Sequence, residues 1–167
     1  MDAAPVQRGL ILFAHGARDA AWAAPFEAVA ALVRQRQPAW QVRLAFLELM
    51  RPSLGEAAAA LVHGGCTQVT VRPMFLGTGG HVRRDLPPML DELRRAHPGV
   101  GFALHVAIGE EPAVHAAMAE AMAGAIAEAT AGAMAGAMAP AALHQPAAAG
   151  ARVPAATVPA ARPKEPR

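Results

Sequence analysis

The sequence contains no tyrosine, one cysteine and one lysine in 167 residues, and aromatic side chains make up only 4% of it. Each shortage removes a class of function. With so few rings there is no stacking platform for the bases of a single-stranded nucleic acid. The lone cysteine, Cys66, can form no disulfide within the chain and no thiolate metal cluster. That fits a reducing compartment, so a cytoplasmic location is expected. Cys66 follows Gly64-Gly65 and reads as a small buried hydrophobe rather than a nucleophile. Long apolar runs are also missing. Leu10–Ala14 is too short for the hydrophobic region of a secretory signal, and Ala121–Leu143 is mostly Ala and Gly and is interrupted by Glu128. No membrane span is therefore expected. The formal charge of +2 is too small to call for a nucleic acid or another polyanion as partner. With Lys164 the only lysine, arginine carries nearly all the positive charge, and planar guanidinium forks suit carboxylate-rich ligands.

What remains is the composition of a globular domain, 54% hydrophobic and 17% charged. Gly9–Ala14 is a continuous apolar run ending at His-Gly, as in a strand buried on both faces. In Ala20–Arg36, Trp22, Phe26, Val29 and Val33 recur at helical spacing, and Pro38 closes the unit. Val42–Leu47 reads as a second strand. Ser53–His63 reads as a helix with Ser53 as N-cap and Gly64-Gly65 as its stop. Gln68–Leu76 is a third strand running into a Gly-rich loop, Gly77–His81. Asp85 then opens a third helix with Pro87 and Pro88 in its first turn, ending at His97-Pro98. Gly101–Ile108 is a fourth strand, and Pro112 to about Thr130 a fourth helix. Strands alternating with crossover helices predict an α/β fold, a four-stranded parallel sheet with helices on both faces. This domain is expected to occupy residues 1–130. From residue 131 to 167 the composition turns to Ala, Gly and Pro without apolar period, and this tail is expected to be disordered. Met118, Met122, Met134 and Met138 are thioethers that soft metals accept, but a helix face with a frayed extension is the better reading of them.

In an open parallel sheet, ligands bind outside the carboxyl ends of the strands. His15 follows strand one, Glu48 strand two and His81 strand three, each 33 residues after the last. Two imidazoles and a carboxylate form a donor set for Fe, Co, Ni or Zn, and three protein ligands leave coordination positions open for transfer chemistry. Taken singly, a His before Gly is also a turn residue and Glu48 a solvated strand end. Gly77-Thr78-Gly79-Gly80 lacks the Lys-Ser/Thr of a phosphate loop. It reads better as a flexible lid that lets backbone approach a flat ligand and brings His81 to it. Arg18, Arg51, Arg83 and Arg84 stand within three residues of these donors and would suit a substrate fringed with carboxylates.

At this point a resemblance becomes specific. Phe13-Ala14-His15-Gly16-Ala17-Arg18-Asp19 is similar to the His-Gly-Ser-Arg turn of the small sirohydrochlorin chelatases. Pro73-Met74-Phe75-Leu76, Gly80-His81-Val82 and Asp85-Leu86-Pro87 resemble that family's second signature, and Glu48 with Pro52-Ser53-Leu54 its segment after strand two. The likeness covers roughly residues 9 to 128; Ala17 replaces the usual Ser, Leu86 the usual Ile, and the tail has no counterpart. The resemblance implies a class II chelatase that inserts a divalent metal, Co²⁺ or Fe²⁺ and possibly Ni²⁺, into sirohydrochlorin without an organic cofactor. His15, His81 and Glu48 would be the metal-binding and catalytic residues. Arg18, Arg51, Gly79, Gly80, Arg83 and Arg84 would meet the substrate. Larger relatives carry two such halves in one chain, so a homodimer is implied here. Two other activities share parts of this pattern. A histidine phosphatase would need Arg directly before the His, where Ala14 stands. A non-catalytic metal carrier would use the same histidines without recognising a macrocycle.

Overall fold

A computed structural model describes residues 6–77 and 79–138, except for the side chains of 80–83 and 133–138. The strands are β1 (Arg8–Ala14), β2 (Trp40–Phe46), β3 (Gln68–Pro73) and β4 (Gly101–Leu104). The helices are α1 (Ala24–Arg36), α2 (Leu54–His63), α3 (Gly80–Ala96) and α4 (Pro112–Met138). All strands are parallel, in the order β2-β1-β3-β4. The chain divides into two units, Met1–Ala127 and Glu128–Arg167. The described part of the second is the end of α4, so residues 131–138 of the tail expected to be disordered are helical, and the rest of that tail lies outside the described residues.

Alternation along the strands sorts side chains between the two faces. Ile11 and Phe13 of β1, Val69 and Val71 of β3 and Phe102 of β4 pack with Leu54 and Leu61 of α2 and Leu86, Leu90 and Leu93 of α3. Cys66 is buried in this cluster, and burial pushes its thiol up from the ordinary value. On the opposite face Leu12, Val42, Leu44 and Phe46 pack with Ala30, Phe26 and Val33 of α1.

Three boundaries differ from the sequence expectation, each for a physical reason. β3 ends at Pro73, not Leu76: the Met74 amide makes a last bond to β1, at the Phe13 carbonyl (2.7 Å), and beyond it the Phe75 carbonyl accepts from Gly109 at 2.9 Å. α3 begins at Gly80 rather than Asp85, with Gly79 in extended conformation as its N-cap, so Pro87 and Pro88 lie inside the helix. Their missing N–H groups forgo the bonds to the carbonyls four residues earlier. β4 stops at Leu104, and Ile108 belongs to a short 3-10 turn, Ile108–Glu110. At the other end, α4 runs past Thr130 to Met138, since alanine has the highest helix propensity even where apolar periodicity is absent.

Candidate functional site

The loops after β1 and β2 are stitched together at the carboxyl edge of the sheet. The Leu47 amide donates to the Ala14 carbonyl at 2.8 Å and the Glu48 amide to the His15 carbonyl at 3.0 Å. Gly16 makes this approach feasible. Its φ is +94°, and a Cβ there would stand 2.0 Å from the Glu48 carbonyl oxygen. Beyond Glu48 the chain reverses sharply: the Met50 amide donates to the Glu48 carbonyl at 2.7 Å across Leu49, whose φ is +62°. A leucine in the left-handed region is strained, and such strain concentrates where the surrounding structure must hold a side chain in place. The loop closes where Phe46 donates to the Pro52 carbonyl at 2.9 Å.

His15 and Glu48, far apart in sequence, line one cavity of about 220 Å³ together with Phe13, Leu47, Asp85, Leu86 and Met89. His15 is exposed, and its ring lies against Phe75, with centroids 4.4 Å apart and planes at 45°. That contact limits the imidazole's rotation. Leu86, Leu90 and Leu93 fix α3 to the core, which sets Asp85 at the cavity wall. Position 81 lies one helical turn before Asp85, in the first turn of α3 and not in a loop. The His81 and Arg83 side chains are outside the described residues. Among the described residues no three His, Cys, Asp or Glu side chains form a ready metal shell.

The remaining site candidates divide. Arg18 and Arg84 are exposed. Arg51 is paired with the Glu56 carboxylate of α2, an ion pair on the surface. Gly79 has open space around it, which backbone approach by a flat ligand requires. The Gly-rich lid shrinks to the few residues before Gly80, because α3 absorbs the rest. Asp85 and Phe75 were not singled out as site residues from sequence. The i, i+4 relation of Asp85 to position 81 was a signal for it, obscured because Asp85 read as a helix opener.

A second, larger cavity of about 600 Å³ lies on the α1 face, lined by residues that include Leu10, Leu12, Val29, Thr70, Arg72 and His105. It shares no lining residue with the His15 cavity and carries no carboxylate among its lining residues. The smaller cavity is therefore the better candidate for metal chemistry.

Known proteins resemble this chain over much of its length. The CbiX family model matches residues 9–125. A sirohydrochlorin cobaltochelatase of Sulfurisphaera tokodaii is 29% identical over 112 residues, 67% of this chain and 88% of that protein. One from Methanopyrus kandleri is 32% identical over 81 residues, covering 48% of this chain and 57% of that protein. The crystal structure of a cobalamin (vitamin B12) biosynthesis CbiX protein from Marinobacter aquaeolei superposes with a TM-score of 0.65 at 32% identity, over 72% of this chain and 98% of that one. The cobalt complex of the chelatase SirB from Bacillus subtilis shares the fold, with a TM-score of 0.58 at 23% identity. The match spans 64% of this chain and 45% of SirB, a little under half of that longer protein.

Proposed function

The chain belongs to the CbiX family, and from that premise we propose that it inserts a divalent metal, Co²⁺ or Fe²⁺, into sirohydrochlorin in cobalamin or siroheme biosynthesis. The observation that carries the proposal is the convergence of His15 and Glu48, from successive βα units, on one cavity at the carboxyl edge of the sheet. The reading treats the metal as substrate. Neutral His15 and His81 receive the ion with modest affinity, and Glu48 balances its charge and accepts protons. Two pyrrole protons leave as the ion exchanges imidazole nitrogens for the macrocycle's. Arg18, Arg51, Arg83 and Arg84 meet the peripheral carboxylates, with Arg51 giving up Glu56 to do so. Gly79 and Gly80 let the backbone lie close to the ring. The chemistry calls for no organic cofactor, and Ni²⁺ would serve as an alternative metal. The active unit is residues 1–130, cytoplasmic, and it works as a homodimer.

The test is the absorbance of sirohydrochlorin incubated anaerobically with Co²⁺, Fe²⁺ or Ni²⁺. Insertion should fall by about 100-fold or more in His15→Ala and in His81→Ala, with the circular dichroism spectrum unchanged. Full activity in both variants would reject the assignment. A metal carrier would bind the ion and leave the macrocycle's spectrum at its uncatalysed rate.

A further inference from the structure

Leu49 carries two penalties that the described residues do not offset. Its φ of +62° lies in the left-handed region, where Cβ crowds the following carbonyl oxygen. Its side chain is 63% exposed and belongs to neither core cluster. The turn itself does not call for leucine. Glycine adopts this conformation freely, and asparagine tolerates it. Nor does the core call for it, since the loop is anchored by its neighbours: Phe46 is buried, and Met50 packs against the cluster on the α1 side. A strained conformation that brings no stability points to a partner that the side chain meets.

The surroundings indicate the chemistry of that partner. Leu47, Leu49, Met50 and Arg51 line an open hollow of about 440 Å³, together with Phe46 and Ser53. Leu47 also lines the cavity of His15 and Glu48, so the two hollows share a wall. The strand order sets the loop after β1, which carries His15, between the loops after β2 and β3. Leu47 and Leu49 come from the loop on one side, and Leu76, 66% exposed, from the loop on the other. Apolar surface thus adjoins the imidazole, and the exposed Arg51 guanidinium borders that surface. A ligand matched to this arrangement is apolar over a flat face and anionic at its periphery.

We propose that Leu47 and Leu49 form an apolar shelf for one face of the tetrapyrrole, and that the adjoining hollow takes a peripheral carboxylate arm against Arg51. Burial of the leucine side chains offsets the backbone strain at Leu49 only in the complex. The inference rests on the function proposed above and assigns a contact surface for the macrocycle, distinct from the residues that handle the metal.

Titration of the full chain with metal-free sirohydrochlorin, followed by absorbance, reads this contact without any metal insertion. Leu49→Gly should weaken binding by about 10-fold, the loss of one buried leucine side chain. Its urea midpoint should equal or exceed that of wild type, because glycine accepts the positive φ without strain. Leu49→Asn, which also suits that φ, should bind as weakly as the glycine variant. Leu49→Met keeps the apolar bulk and should bind close to wild type. Unchanged affinity in the glycine and asparagine variants, with wild type active in metal insertion, would overturn the shelf alone. A lower midpoint for Leu49→Gly would also overturn it, since the leucine would then serve the fold. Wild-type protein that neither binds the macrocycle nor inserts metal into it would overturn the proposed function and the shelf together.

Discussion

On one face of the sheet α2 and α3 together seal Ile11, Phe13, Val69 and Val71; on the other, α1 covers Leu12, Val42 and Leu44 and leaves Leu10, Thr70 and Arg72 along an open groove. The strands themselves record the difference. β1 is apolar toward both sides, while β3 alternates valines toward α2 and α3 with Thr70 and Arg72 toward the groove. A face built from alternating polar and apolar positions tolerates solvent or a removable partner, as one built from a continuous apolar patch does not. The same chain thus has a sealed face and a face left partly open, with the candidate site at the edge they share.

Truncation is the sharpest way to break this comparison. Leu61 is fully buried between α2 and the sheet, so Leu61→Ala should lower the unfolding free energy by about 3 kcal/mol. Val29, at the groove wall, is 38% exposed. Val29→Ala should cost less than about 0.5 kcal/mol. Urea titrations of both variants against their parents measure the contrast. Equal losses would mean that the α1 face is sealed in the single chain and that no asymmetry exists.

A smaller effect is expected at the shared edge. Gly16→Ala combines a positive φ with a Cβ placed on the Glu48 carbonyl oxygen, and the obstacle is backbone rather than a flexible side chain. The loops must separate, at a cost of about 2 kcal/mol. Because the Glu48-to-His15 hydrogen bond goes with them, metal insertion should fall more steeply than stability does. Comparing the insertion rate with the denaturation midpoint of the same variant measures that split. Loss of stability with full activity would show that the stitched loops serve the fold and not the chemistry.

The elements were legible because their periods differ. Alternation or continuous apolar runs marked four strands, and helical spacing marked the segments between them. Their ends were less legible, since punctuation residues have more than one meaning. Pro87 and Pro88 signal a helix start, yet α3 runs through them, and Ala-rich sequence after Thr130 remains helical without any apolar period. In the candidate site, the positions of His15 and Glu48 followed from where strands one and two end. Asp85 was hidden by a double reading as a capping residue. The groove was hidden by β1, whose uniform apolarity implies cover on both faces; only Thr70 and Arg72 of β3 contradict it.

The gentlest test concerns how α2 is started on the sealed face. Its N-terminus is a capping box: the Glu56 amide donates to Ser53 Oγ at 3.3 Å, and the Ser53 amide donates to Glu56 Oε2 at 2.7 Å. That backbone N–H is the main cause holding the Glu56 carboxyl below its usual 4.5, with the Ser53 hydroxyl and Arg51 acting in the same direction against a partial desolvation. A carboxyl whose pKa is lowered by folding stabilises the native state above its unfolded pKa, and that contribution disappears as pH falls through the folded value. Wild type should therefore be more stable than Glu56→Gln at pH 7, and the gap should close as the pH drops below about 4.5. Thermal melts of the two proteins at pH 7, 5, 4 and 3 follow the gap. A difference that stays constant across this range would assign the effect to side-chain shape instead of charge. The box would then contribute nothing electrostatic to the face that α2 seals.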